Sequence, residues 1–123
     1  MQFSSVVLLQ SDTRIAHSLV TSLSSSYFTV HTVGSLDDLR ASMVKHHTDV
    51  AILDLEVASL KALQRLCREF PQTSVVGTHR LANEELWASA LRAGAVDVCP
   101  ADDANAVLAA ALRNTVPLHK AAA

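Results

Sequence analysis

Aromatic side chains are scarce. Five of 123 residues are Phe, Tyr or Trp, so any core this chain builds is aliphatic. Glycine is equally sparse, with three residues, and Gly34, Gly77 and Gly94 all read as punctuation between elements. No glycine-rich loop follows the first apolar run. That argues against a nucleotide or flavin site in which backbone N–H groups cradle a phosphate. The two cysteines, Cys67 and Cys99, lie far apart in apolar segments without C-x-x-C spacing. They read as buried, reduced thiols, which places the expected setting in the cytoplasm. Basic residues occur singly, the net charge is −2 and the pI is near 6.3. Nucleic-acid and membrane surfaces need clustered Lys and Arg, so neither partner is expected. No apolar run approaches the roughly 18 residues of a membrane span. No basic residue precedes the short apolar run after Met1, so no signal peptide is expected.

What the chain does have is aliphatic content: 50% of its residues are apolar, enough for one well-filled domain. We expect a single domain over residues 1–118 and a frayed tail at 119–123, with no room for a DNA-binding or catalytic output domain. The central stretch is Val50-Ala51-Ile52-Leu53-Asp54-Leu55-Glu56. An unbroken branched run without alternation predicts a strand buried on both faces, as in parallel sheets. Asp54 stands where that strand stops. A strand-ending aspartate is commonly a loop starter or helix cap, but strand ends are also where open parallel sheets bind ligands.

Similar runs recur. Ser5–Leu9 predicts the first strand, and Asp12 is placed to cap a helix from Thr13 with Ile15, Leu19 and Leu23 as its stripe. Tyr27–Val33 alternates and predicts an edge strand. Ser35 opens a second helix with Leu36, Leu39, Met43 and Val44 inward, and His46 and His47 at its end suit the helix dipole as cations. A third helix is expected from about Ala58 to Glu69, with Leu60, Leu63, Leu66 or Cys67, and Phe70 inward, before Pro71. Ser74–Gly77 predicts a fourth strand. Asn83 caps a fourth helix that carries Leu86, Trp87, Ala90 and Leu91 and stops at Gly94. Ala95–Cys99 predicts the fifth strand. A fifth helix from Asp103 presents Val107, Leu108, Ala111 and Leu112 inward. Strict strand–helix alternation implies a parallel sheet with helices on both faces. The strand ends then gather Gln10, Ser11, Asp12, Asp54, Thr78, His79, Ala101 and Asp102 on one rim.

Four stretches carry a resemblance: Val7-Leu8-Leu9-Gln10-Ser11-Asp12 before a helix, Val50–Leu55, Leu91-Arg92-Ala93-Gly94-Ala95-Val96-Asp97-Val98, and the last helix. With them the chain resembles the receiver domain of two-component response regulators, from residue 5 to about 113. The resemblance implies an α/β, flavodoxin-like (CheY-like) fold: a doubly wound, five-stranded parallel sheet of order 2-1-3-4-5. It further implies signal transduction in a bacterial phosphorelay rather than an enzyme, with a histidine kinase or an output domain as partner. The face of the fourth helix, fifth strand and fifth helix serves this family for dimerisation or output.

In that family the strand-three aspartate accepts a phosphoryl group. Charge spread over the transferring oxygens calls for Mg²⁺ on an acidic pair, a lysine after strand five and a Thr or Ser after strand four. Here Asp54 matches the acceptor. The acidic pair falls on Gln10 and Ser11, with Asp12 one step on. The lysine falls on Ala101, and the strand-five aromatic on Val98. The hydroxyl position is either Thr78 or His79, depending on a one-residue gap. The loop after Asp54 is about three residues short. A unit charge about 4 Å from a divalent ion contributes roughly 8 kcal/mol of gross attraction at a dielectric near 20. Most of it is cancelled by desolvation, yet a small residue still shifts affinity by orders of magnitude. The expectation is therefore a degenerate receiver-like module that acts by protein contact. Mg²⁺ would be weakly held, by Asp54 and Asp12 if at all. The alternative is a working receiver phosphorylated on Asp54. A metal site at His46 and His47, or a nucleophile pair of Ser11 with His17 or His79, lacks the supporting motif.

Overall fold

The structure, a computed structural model, describes residues 4–115. Among these residues five strands and five helices alternate: β1 (Ser4–Leu9), α1 (Thr13–Ser24), β2 (Phe28–Val33), α2 (Leu36–His46), β3 (Val50–Asp54), α3 (Leu60–Glu69), β4 (Ser74–His79), α4 (Glu84–Ala93), β5 (Asp97–Pro100) and α5 (Ala104–Thr115). All four strand pairings are parallel and the order is β2-β1-β3-β4-β5. This is the doubly wound order expected above, with β3 at its centre.

The unbroken apolar runs follow from that position. Successive side chains of a strand point to opposite faces, and β3 has a core on each. Ala51 and Leu53 join one cluster with Leu39, Met43, Leu63, Leu66 and Ala90, beneath α2, α3 and α4. Val50 and Ile52 join the other with Leu19, Leu23, Val107, Ala110 and Ala111, beneath α1 and α5. Every residue of β3 is buried, Asp54 included. Each fully buried Leu or Ile contributes about 2 kcal/mol through the area it removes from water. β2 is an edge strand, as its alternation predicts.

The caps form as the sequence predicts. Asp12 accepts hydrogen bonds from the N–H groups of Arg14 and Ile15, Ser35 from Asp38 and Asn83 from Leu86. Gly94 ends α4 at φ 116°, and a Cβ there would lie 2.7 Å from the Cys67 Cβ, so both the conformation and the space call for glycine. Cys67 and Cys99 are both free; burial raises each thiol, that of Cys99 to about 11.

Several boundaries and faces differ from expectation. Tyr27 lies outside β2, at φ 67°, and is exposed. Helix α3 starts at Leu60, not Ala58, because the N–H groups of Val57 and Ala58 both turn back to the Asp54 carbonyl and Ser59 caps the helix. Strand β5 starts at Asp97, because the Ala95 N–H is taken by the Ala90 carbonyl at the end of α4. Asp103 caps α5 through Ala106 rather than opening it. Val44 and Leu112 are exposed. Leu39 and Met43, or Val107 and Ala111, already span the buried stripe at spacing four. The next residue lies about 100° further round, beyond the sheet. Leu60, in the first turn of α3, is also exposed. Trp87 is 46% exposed and is a surface residue of α4 rather than core. The end of α2 differs too: His46 stacks on His31 instead of standing as a dipole-stabilised cation. The expected frayed tail, 119–123, lies outside the described residues.

Candidate functional site

Parallel pairing brings all the strand ends to one rim, and Asp54 sits in its floor. The carboxylate is 0% exposed and fully engaged by its own chain. Ser11 donates twice to Oδ2, from its N–H at 3.0 Å and from Oγ at 2.7 Å. The Glu56 N–H donates to Oδ1 at 2.9 Å. The loop after β1 is thus tied to the loop after β3 through one side chain. Charge-assisted bonds of this kind are the strong ones, and buried carboxylates need them.

In the sheet register Asp54 pairs with Thr78, and His79 lies one residue further on. The Thr78 Oγ1 is buried and has no hydrogen-bond partner, as is the Nε2 of Gln10. His79 faces its own loop, where its Nδ1 accepts the Leu81 N–H at 2.9 Å. Ala101 is buried, and its N–H donates to the His79 carbonyl at 3.1 Å. No side chain at that position brings a cation to Asp54.

Asp12 is spent on its cap, and the Gln10 Oε1 accepts the Asp12 N–H at 3.0 Å. The side-chain oxygens after β1 therefore belong to an amide, a hydroxyl that donates to Asp54, and a carboxylate turned to a helix end. Mg²⁺ takes oxygen lone pairs, usually with one or two carboxylates. This donor set is a poor match for it. Among the described residues no group of three or more His, Cys, Asp and Glu side chains could hold a metal ion, and no helix is long and apolar enough to cross a membrane.

Two clusters escaped sequence reasoning. Arg80 grips Glu56 at the rim, Nη2 to Oε1 at 2.8 Å and Nε to both oxygens, while its N–H donates to Oε2. The hydrogen bonds from Arg80 hold the Glu56 carboxyl below the usual carboxylate range. Glu56, then the charges of Asp12 and Asp54, hold the guanidinium above its own. The pair was findable: Glu56 and Arg80 each stand two residues past the register pair Asp54 and Thr78. The second cluster centres on Asp97. It accepts from the Trp87 Nε1 at 3.3 Å and from the Arg113 Nη2 at 2.8 Å, linking α4, β5 and α5.

No protein-family profile matches the chain, and no curated protein does. Solved structures do. A response regulator from Thermotoga maritima superposes with a TM-score of 0.83 at 18% identity, covering 93% of this chain and 98% of that one. A CheY-like receiver domain protein from Methanospirillum hungatei gives 0.82 at 15%, covering 97% and 98%. The fold is that of response-regulator receiver domains. An atypical orphan response regulator, described as using a phosphorylation-independent regulatory mechanism, gives 0.75 at 20%, covering 89% and 95%. Asp54 ends β3 at the strand-end rim of that fold, and Thr78 is its register partner on β4. Gln10 and Ser11 follow β1 and Ala101 follows β5 on the same rim.

Proposed function

We propose that this chain is a degenerate receiver of a two-component phosphorelay, a cytoplasmic regulatory module that works through protein–protein contact without a phosphoryl group. It is not an enzyme in this reading. The observation that carries it is the state of Asp54. Both carboxylate oxygens are bound by neutral donors of the same chain, and Ala101 stands where a receiver keeps its lysine. The atypical orphan regulator, described as phosphorylation-independent, is a precedent on the same fold. The contact surface is the α4–β5–α5 face, where Asp97 ties Trp87 to Arg113 and leaves the indole half-exposed. Its partner is a kinase, an output domain or a second copy.

A second reading, phosphorylation of Asp54 by a histidine kinase, has one observation in its favour. The unpartnered Thr78 hydroxyl, level with Asp54, is the group that would bond a phosphoryl oxygen. Intact mass and Trp87 fluorescence, followed with Mg²⁺ and either acetyl phosphate or beryllofluoride, separate the two. The proposal expects no adduct and no fluorescence change. A stable adduct absent from Asp54→Asn overturns it.

A further inference from the structure

The edge of the sheet farthest from β5 holds a pair of groups that the site does not use. His31, in the middle of β2, and His46, in the last turn of α2, stack face to face with ring centroids 3.6 Å apart and planes 9° from parallel. Their lone pairs lie in two parallel planes, so the rings cannot share one metal ion in this arrangement. Two neutral imidazoles stack well, but two imidazolium ions at this spacing repel each other.

His46 is held below the ordinary histidine value by desolvation, then by His31 across the stack and Lys45 beside it. Both charged groups that act on it among the described residues, His31 and Lys45, are basic. On the neighbouring strand, His31 is paired with Val7, which is buried and apolar. The one ion pair tying α2 to α3 is Arg40 to Glu69 at 2.8 Å, on a different turn of the helix.

We propose that the His31–His46 stack is a pH-sensitive latch. Near neutrality it fastens the last turn of α2 to the edge strand. As pH falls below the ordinary histidine range it opens, freeing that turn and the outer edge of β2. The sign follows from linkage. With its affinity for protons lowered in the closed state, His46 binds them more readily when the corner is open, so acid favours opening.

Amide hydrogen exchange of the intact chain, compared at pH 7.5 and pH 5.5 after correction for intrinsic rates, tests this alongside an NMR titration of the imidazoles. Protection in β2 and in the last turn of α2 is expected to fall about fivefold, while β3 and β4 hold theirs. His46→Phe and His31→Phe keep a stacked aromatic ring without the proton, and each is expected to remove that local fall. Two results overturn the latch: equal pH dependence in wild type and in both Phe variants, or two independently titrating imidazoles with protection unchanged. Should one variant fail to fold, the other and the wild-type titration still decide.

Discussion

Two carboxylates stand two residues apart at the end of β3 and are held in opposite ways. Asp54 is buried and bound by three neutral donors, two of them from Ser11. The Glu56 side chain lies at the surface, 22% exposed, and is bound by a full positive charge. Asp54 is held by fixed dipoles rather than ions, and removing a donor leaves a buried carboxylate short of a partner. In Glu56 water stands ready to replace whatever is lost. The first carboxylate therefore links two loops as a structural tie, while the second is an adjustable cover over the same rim.

That contrast is sharpest under truncation. Asp54→Ala strands the Ser11 hydroxyl and two backbone N–H groups, and is expected to lower stability by about 3 kcal/mol. Ser11→Ala removes one donor and leaves the others, for a loss of about 1.5 kcal/mol. Urea unfolding of both variants checks the ranking; equal, negligible losses would show that the tie carries no load. A change of opposite character follows. Ser11→Asp with Ala101→Lys rebuilds a second carboxylate and a cation around Asp54. The double variant is expected to gain measurable Mg²⁺ affinity by calorimetry over the unaltered chain. Unchanged affinity would mean that position 101 does not face Asp54, since Ser11 already bonds it.

The fold was largely legible because burial on two faces leaves a mark that one sequence carries. Val50–Leu53 and Val6–Leu9 could not be unbroken and apolar on a solvent-facing sheet. Caps at Asp12, Ser35 and Asn83, and the stop at Gly94, are local chemistry and were read in place. What failed was the width of helical stripes. Val44 and Leu112 fit the pattern one step too generously, because spacing alone does not say how far round the sheet reaches. The place of Asp54 at the end of a buried central strand was legible, and its three donors were not, since the Ser11 bonds join residues 43 positions apart. That Thr78 rather than His79 pairs with Asp54 across the sheet needed the register. The His31–His46 stack left no signal, because both residues carried adequate local explanations as an edge-strand polar residue and a helix end.

The smallest expected effect lies with Glu56, and it bears most directly on the contrast. Its carboxyl is held below the ordinary range by hydrogen bonds from Arg80. A depressed acid contributes stability above its unfolded value and loses it as pH falls through the folded one. In Glu56→Gln that acid-side slope should be reduced, with little change at neutral pH, since a pair this exposed is screened by water and salt. Thermal melts at pH 7 and pH 3.5, each at low and high salt, check it. Salt should shrink the difference between Glu56→Gln and wild type, but not that between Ser11→Ala and wild type. Ser11 acts by hydrogen bonds to a buried carboxylate, which mobile ions do not reach. If salt erased both differences alike, Asp54 would be as solvated as Glu56, and the distinction between tie and cover would collapse.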